Sequence, residues 1–438
     1  MTKLTVNTAT CLGPIKPEHC VNNGPVVARA DQVSGNFLSY KAARIPYARN
    51  HDASHCSSYG GCHTVDVSCI FRDFDADPDD PANYDFVLTD DYIQKTLNAG
   101  TKTYYRLGAS IEHWIKKYNT LPPKDFKKWA VICEHIIRHM NEGWADGHHF
   151  DIEYWEIWNE PDLVPETSSY YDKKTWGGMD ADFYEFYDTV ACYLGEKFKN
   201  IKIGGCAFAR GHGKFIEEFL AYITRDGHRA PLDFISWHTY DCTPEGIVAD
   251  AESLRALVDS YGYTEAESIL NEWNYIIDWD VHYVESLLAI NGLKGAAFTA
   301  ATMILSQNLP IDMLMYYDAR PGGFCGLYDF VYRLQKGYYP FPIFADLYEL
   351  GTQVETASDD PEIKFLAAKD ADGKFAAMGA YFTNDPDALY KLITVTGVPE
   401  GAKLYVVDEQ HDLEPYEVIC ENGQMTFSLA PNGVFEIK

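Results

Sequence analysis

Short apolar segments alternate with helical segments along most of the 438-residue chain, and this alternation constrains the fold more than any other feature. The apolar segments are rich in β-branched and aromatic residues, which is typical of buried strands. There are eight of them, at residues 19–26, 44–52, 101–110, 152–161, 201–209, 233–241, 268–275 and 313–320. The stretches between them, such as 124–143 and 180–200, carry apolar residues at the spacing of an amphipathic helix.

Strands that alternate with helices predict an α/β protein with a parallel sheet. Eight is the number of strands at which such a sheet closes, so we predict a (β/α)8 TIM barrel over residues 18–350. An open, doubly wound sheet is the competing architecture.

The pattern changes from about residue 355, where short alternating segments follow one another without helical stretches between them. Turn sequences such as DADG at 370–373 and PNG at 431–433 separate these segments. We therefore predict a smaller antiparallel β-sandwich over residues 351–438. A strand from residues 1–17 is an optional addition to this sheet.

Charge and composition exclude several classes of partner. A net charge of −29 argues against nucleic acid and anionic membrane surfaces, which would repel the chain. The most apolar stretch, 296–305, is far shorter than the ~20 residues of a membrane span. Eleven irregularly spaced cysteines and no visible signal peptide predict reduced thiols in a cytoplasmic protein. A secreted protein whose leader has been removed is the alternative, and a homo-oligomer is left open.

Polar residues cluster where five of the predicted strands end, at residues 49–52, 159–160, 238–241, 271–274 and 316–318. The C-terminal ends of the strands of a parallel barrel meet on one face, where active sites are built. We therefore expect these residues to line one shared pocket.

Within that set, Glu160 and Glu272 are the candidate pair of catalytic carboxylates. Cleavage of a glycosidic bond needs a protonated acid beside the leaving oxygen and a second carboxylate at the anomeric carbon. Trp155, Trp158 and the second carboxylate are expected to raise the pKa of Glu160. The alternative is that each glutamate forms a salt bridge at a strand end. Two Asn-Glu dipeptides, on strands four and seven, favour the catalytic pair.

A family resemblance rests on these motifs. WEIWNEPD (155–162) and ILNEWN (269–274) resemble the acid/base and nucleophile motifs of retaining glycosidases of clan A. CVNNGPV, YARNHD, NTLPPKDFKKW and DFISWHTYD resemble further motifs of glycoside hydrolase family 39, which includes β-xylosidases and α-L-iduronidases. The resemblance covers most of the chain. It implies that Glu160 is the acid/base and Glu272 the nucleophile.

The same resemblance implies roles for neighbouring residues. Asn159 is expected to bind the hydroxyl next to the anomeric carbon. His51 and His238 are expected to hold other hydroxyls, and Tyr240 to orient the nucleophile.

Three residues depart from the family pattern, and each is expected to shape the sugar pocket. Asp52 stands where xylosidases commonly have glycine, and Tyr317 lies near an expected tryptophan. Arg106 lies in a segment where xylosidases tend to carry glutamate. Arg106 either pairs with a substrate carboxylate, which would indicate a uronic acid, or forms a structural ion pair with Glu156 or another acid at a strand end.

We therefore predict a retaining exo-glycosidase that releases a terminal sugar, with a β-xyloside as the first candidate. Arabinopyranosides, glucosides, galactosides and uronides are alternatives, and a catalytically inactive carbohydrate-binding protein is an alternative of another class. No cofactor or metal is expected, because the His/Cys-rich stretch His51, His55, Cys56, Cys62, His63 and Cys69 lacks a Cys-x2-Cys pair and a fixed return spacing.

Overall fold

The computed structural model describes residues 1–26, 35–53, 63–113, 115–164 and 168–438. Within these ranges the chain forms a closed barrel of eight parallel strands and a separate nine-stranded sheet. This arrangement confirms the predicted fold class and excludes the open, doubly wound sheet.

The barrel strands follow one another in chain order, as expected when each connection returns the chain to the same end of the barrel. They are β2 (Cys20–Asn22), β3 (Tyr47–Arg49), β4 (Lys102–Leu107), β5 (Tyr154–Ile157), β6 (Lys202–Phe208), β7 (Phe234–Asp241), β8 (Glu267–Tyr275) and β9 (Met313–Tyr316).

The α-helices bury their apolar faces. In α4, for example, Trp129, Ile136 and Met140 are buried, the Asp125 side chain caps the N-terminus, and Gly143 ends the helix in the left-handed conformation. The helices are α1 (Phe37–Ala42), α2 (Val67–Ile70), α3 (Val87–Asn98), α4 (Phe126–Glu142), α5 (Asp180–Lys197), α6 (Lys214–Ile223), α7 (Pro244–Ile247), α8 (Ala251–Ser260), α9 (Tyr283–Ile290), α10 (Leu293–Ser306) and α11 (Pro340–Leu350).

The barrel interior is layered, because side chains two residues apart on a strand point to the same face. An apolar layer near the strand starts is a buried cluster of its own, made of Cys20, Tyr104, Tyr154, Phe234, Ile269, Met313 and Met315. Arg49 follows Tyr47 by two residues on β3, and Glu156 follows Tyr154 by two residues on β5, so both lie one layer above the apolar layer. Their side chains bond each other across the barrel. This polar layer lies directly beneath the strand ends where the candidate site was expected.

The nine-stranded sheet contains both ends of the chain. Its order is β15-β14-β17-β12-β11-β10-β1-β13-β16. The first strand of the chain pairs antiparallel with β10 and parallel with β13, so the sheet is mixed and not wholly antiparallel. It has a hydrophobic core of its own.

The strands of this sheet are β1 (Thr2–Pro14), β10 (Thr352–Ser358), β11 (Ile363–Lys369), β12 (Phe375–Tyr381), β13 (Lys391–Thr396), β14 (Leu404–Val407), β15 (Asp412–Tyr416), β16 (Gln424–Leu429) and β17 (Val434–Ile437). Among the described residues no single helix is long and apolar enough to cross a membrane. Helices α9 and α10 reach that length and composition only when they are counted together across a 77° bend.

Candidate active site

The ends of β5 and β8 bring Glu160 and Glu272 together. One carboxylate oxygen of each lies, with a ring nitrogen of His238, within a set of atoms no more than 4.8 Å apart. Glu160 is 9% and Glu272 6% exposed, so both carboxylates are largely withdrawn from water but still reach it. Two distant parts of the sequence therefore meet in one cavity, as the paired Asn-Glu motifs predicted.

The backbone at Glu160 adopts an unusual conformation. Its φ angle is +45°, and that of Trp158 is +74°, both in the left-handed region that non-glycine residues rarely occupy. Such a conformation costs about 1–3 kcal/mol and persists only where the surroundings hold it. Here the Glu160 amide donates to the Ala207 carbonyl at 2.9 Å, and the Glu160 carbonyl accepts from the Thr175 hydroxyl at 2.6 Å. These two bonds fix the direction of the carboxylate.

Burial raises the pKa of Glu160 to about 7. The charges of Arg49 and Lys174 oppose this rise, and the negative charge of Asp52 adds to it. A carboxyl group with such a pKa keeps its proton near neutral pH and can donate it to a leaving oxygen.

Trp155 does not supply the apolar contact with Glu160 that was expected from the sequence. Trp155 stacks on Tyr105 at 4.8 Å, and Trp158 packs against Trp129 and Trp176. Trp155 precedes the inward-facing Glu156 and therefore points to the opposite face of the strand. The expected role of Trp155 was therefore wrong, while the negative charge of Asp52 adds to the rise in the pKa of Glu160.

Glu272 is held as a carboxylate by two donors. Arg49 Nη1 donates to Oε1 at 2.6 Å, and the Tyr240 hydroxyl donates to Oε2 at 3.0 Å. Burial raises the pKa of Glu272, while His238 and Arg49 oppose that rise. Because the Arg49 cation bonds Glu272 and not Glu160, the ionised form is favoured at Glu272, as a nucleophile requires.

Arg49 was expected in the pocket without a role, and Glu156 was not assigned to it. Arg49 Nε donates to Glu156 at 2.7 Å, and its Nη2 donates to the Asn159 side-chain carbonyl at 2.6 Å. Glu156 also accepts from Tyr104 and Ser236. The sequence did contain a signal for both residues. The two-residue period of the strands places Arg49 and Glu156 on the inner face of the barrel, and a charged side chain there needs an internal partner.

His238 and Asn159 are buried beside the two glutamates. His238 Nδ1 lies 2.9 Å from Glu160 Oε1, and burial lowers the pKa of His238 to about 4, so the ring is neutral at neutral pH. The two tautomers of a neutral ring can donate to or accept from Glu160, so this bond persists whether or not Glu160 carries its proton. Asn159 Nδ2 is buried without a hydrogen-bond partner among the described residues, whereas the Asn271 side chain is a hydrogen-bond neighbour of His238.

Asp52 and Tyr317 form another wall of the site. The Tyr317 hydroxyl donates to the Asp52 carboxylate, and Arg320 lies 3.6 Å from the same group. Burial opposes ionisation of Asp52, but His51, Arg320 and other neighbours together hold its pKa well below the usual range. His51 Nε2 lies 3.7 Å from Asp52 and 3.8 Å from Glu272. The cavity therefore contains a third carboxylate, permanently charged, next to the catalytic pair.

Arg106 contacts this site through His51, whose Nδ1 accepts from Arg106 Nε at 3.3 Å. It is fully buried, and its Nη2 donates to Asp66 at 2.7 Å and to the His51 carbonyl at 2.9 Å. Of the two interpretations of Arg106, the structure shows the structural ion pair. Its acid is Asp66, directly before helix α2, and not Glu156, which bonds Arg49.

The chemistry of the site is that of proton transfer. Glu160, His238 and Glu272 lie close enough to hold a cation, but Arg49 already supplies a positive charge at Glu272. Three residues of the His/Cys-rich stretch, His55, Cys56 and Cys62, lie outside the described residues.

Comparisons with known proteins agree with this site. The sequence model described as glycosyl hydrolases family 39 matches residues 38–286, more than half of the chain and including both glutamates. A β-xylosidase of Geobacillus stearothermophilus is 22% identical over an alignment of 236 residues that covers 47% of this chain and 44% of that protein. A β-xylosidase of Caldicellulosiruptor saccharolyticus is 27% identical over 151 residues, 34% of this chain and 26% of that protein. The chain thus matches less than half the length of these curated relatives.

Solved structures share the whole fold. The crystal structure of a glucosidase from Croceicoccus marinus matches with a TM-score of 0.78 and 23% identity, over 100% of this chain and 98% of that one. At this identity the similarity concerns the fold.

Proposed function

Because this chain belongs to glycosyl hydrolase family 39, we propose that it is a retaining, exo-acting glycosidase that releases a terminal sugar, with β-xylosides as its first substrate class. The observation that carries the proposal is the short distance between Glu160 and Glu272. Retaining enzymes place their two carboxyl groups about 5–5.5 Å apart, whereas inverting enzymes leave roughly 6.5–9.5 Å for a water molecule. Carboxylate oxygens within 4.8 Å of each other support retention.

The reaction has two steps. Glu272 attacks the anomeric carbon while Glu160, protonated near neutral pH, donates its proton to the leaving oxygen. Glu160 then takes a proton from water, which hydrolyses the glycosyl-enzyme ester at Glu272. Tyr240 and Arg49 hold the nucleophile in place, and His238 and Asn159 bind hydroxyls of the sugar in the first site.

The charges of the cavity support a neutral sugar over a uronate. Asp52 and Glu272 are charged carboxylates, and the two arginines beside them already have carboxylate partners: Arg49 pairs with Glu272, and Arg320 pairs with Asp52 and Asp318. Arg106 is buried against Asp66. A substrate carboxylate would therefore meet negative charge without an unpaired arginine among these residues.

The sugar is tested with a panel of p-nitrophenyl glycosides that covers pentoses, hexoses and uronates in both anomers. We expect the β-xyloside to be cleaved most efficiently and the uronides to be cleaved least. If another neutral glycoside is cleaved fastest, that sugar is the substrate in place of xylose and the mechanism is unchanged. If a uronide is cleaved fastest, the charge argument is contradicted. A protein that binds the sugars but cleaves none of them would be the inactive carbohydrate-binding protein.

The role of Glu160 is tested by replacing it with alanine. Glu160→Ala should retain activity on aryl glycosides with good leaving groups, which depart without protonation, and should lose it on those with poor leaving groups. Azide should restore turnover and yield a glycosyl azide of retained configuration, which the wild type does not form. Equal losses on good and poor leaving groups would contradict the acid/base role.

A further inference from the structure

A continuous aromatic wall leads outward from the nucleophile. Tyr240, whose hydroxyl bonds Glu272, contacts the Trp279 ring edge-on at a centroid distance of 5.0 Å. Trp279 in turn stacks with Phe324 at 6.1 Å and an interplanar angle of 6°. Tyr283 lies 5.9 Å from Trp279 on the neighbouring helix α9. We refer to Tyr240, Trp279, Phe324 and Tyr283 as the aromatic wall.

Exposure along this wall increases with distance from the catalytic pair. Glu272 is 6% exposed, Tyr240 and Phe324 are half-buried, and Trp279 is 59% exposed. A single tyrosine ring therefore separates the buried nucleophile from an indole that stands in solvent. In an exo-acting site the terminal sugar occupies the buried end, so a group at the exposed end meets the part of the substrate that departs.

An exposed indole held by neighbouring rings is suited to bind a flat or ring-shaped group. Tyr240 and Phe324 support Trp279, so little side-chain freedom is lost when a ligand covers it. The C–H groups of a pyranose face are apolar and weakly positive, and they pack on the negative face of an indole. Leaving Trp279 exposed is otherwise unfavourable, since a large apolar side chain is stabilised by burial.

We propose that Trp279, supported by Phe324, forms a binding site for the leaving group, which is a second sugar ring or an aryl ring, next to the catalytic pair. This inference rests on the proposed function, because it assigns the exposed end of the same cavity. It predicts that Trp279 contributes to turnover only when the leaving group carries a ring.

The test compares three substrates of the full-length protein. Xylobiose and p-nitrophenyl β-xyloside have leaving groups with a ring, and β-xylosyl fluoride has none. In Trp279→Ala we expect kcat/KM to fall about tenfold on the first two substrates and to stay unchanged on the fluoride. Trp279→Phe should recover part of the loss, because it restores an aromatic face.

Tyr390→Ala is the matched control, since Tyr390 is another exposed aromatic residue, 70% exposed, and lies beside β13 of the nine-stranded sheet. It should leave all three rates unchanged. Equal effects of Trp279→Ala on the three substrates, or no effect on any, would overturn the binding site while the proposed function stands. A wild type that cleaves none of the three would overturn both.

Discussion

Glu160 has the surroundings that the proposed general acid requires. Its backbone is held in the left-handed region, its side chain is buried, and the nearest cation bonds Glu272 instead. The two glutamates have the same ionisable group, and their different surroundings divide the roles between them. Burial raises the pKa of Glu160 to about 7, and the charge of Asp52 adds to that rise.

The pH dependence of turnover follows from this. Glu160 must be protonated and Glu272 ionised, so kcat/KM should decline on the basic side with an apparent pKa near 7. Removal of the Asp52 charge in Asp52→Asn should move this basic limb to lower pH, because a neighbouring negative charge raises the pKa of a carboxyl group. A pH–rate profile of both proteins on one aryl glycoside measures the shift. A basic limb that stays in place or moves upward would contradict the coupling.

At the scale of elements, the barrel strands stack an apolar layer, a polar layer and the catalytic layer. Strand β5 contributes Tyr154 and Glu156 to the lower two, and the segment after it supplies Glu160. The polar layer joins β3, β5 and β7, since Glu156 accepts from both Arg49 and Ser236. It therefore supports the catalytic layer from below.

This layer should be sensitive to the loss of a single charge. In Glu156→Gln, Arg49 keeps its ion pair with Glu272, but Arg49, Tyr104 and Ser236 each lose a charged acceptor, which costs about 1.5–3 kcal/mol of stability. Urea unfolding monitored by tryptophan fluorescence measures the change. Glu153→Gln is the matched control, because Glu153 precedes the same strand but pairs with Lys202 at the surface. It should cost roughly 0–1 kcal/mol. Similar costs for both variants would show that the polar layer is not important for stability.

At the scale of the whole molecule, several buried acids make the fold sensitive to pH. Burial raises the pKa of Glu18 and of Glu436 to about 8, and the pKa of Asp162 to about 7. It also raises the pKa of Glu160 to about 7. Between pH 6.5 and 8.5 these groups hold protons in the folded state and not in the unfolded state, so stability must fall as pH rises. Below pH 6.5 the buried histidines His19 and His238, whose pKa values are lowered, act in the opposite direction.

Thermal unfolding at fixed ionic strength should therefore give a lower Tm at pH 8.5 than at pH 6.5. Glu18→Gln should flatten this dependence, since Glu18 is fully buried and neither of its carboxylate oxygens has a hydrogen-bond partner among the described residues. A Tm that rises over this interval would contradict the pKa directions given for these acids.

Much of the architecture could be predicted because it is encoded locally. Each predicted barrel strand overlaps an observed one, since β-branched and aromatic runs must be buried wherever they lie. The predicted segments overshoot where polar residues continue the run, as at 19–26, of which only Cys20–Asn22 is strand. The parallel pairing of β1 with β13 was missed, because it joins residues from opposite ends of the chain and leaves no local pattern.

The site could be predicted only where it, too, is encoded locally. The glutamate pair could be found because each residue carries a motif at a strand end. The partner of Arg106 and the Arg49–Glu156 pair could not, because they depend on which inward side chains meet across the barrel. Alternation along a strand tells which residues face inward, and only the closed barrel determines their neighbours.

The central claim is that Glu272 forms a covalent bond to the sugar while Glu160 transfers the proton. A 2-deoxy-2-fluoro-β-xyloside with a good leaving group slows hydrolysis of such an intermediate, and peptide mass spectrometry of the trapped protein identifies the labelled residue. The account predicts one fluoro-sugar per chain, attached to Glu272. A label on any other residue, or continued turnover of xylosides by a protein that the reagent never labels, would contradict it.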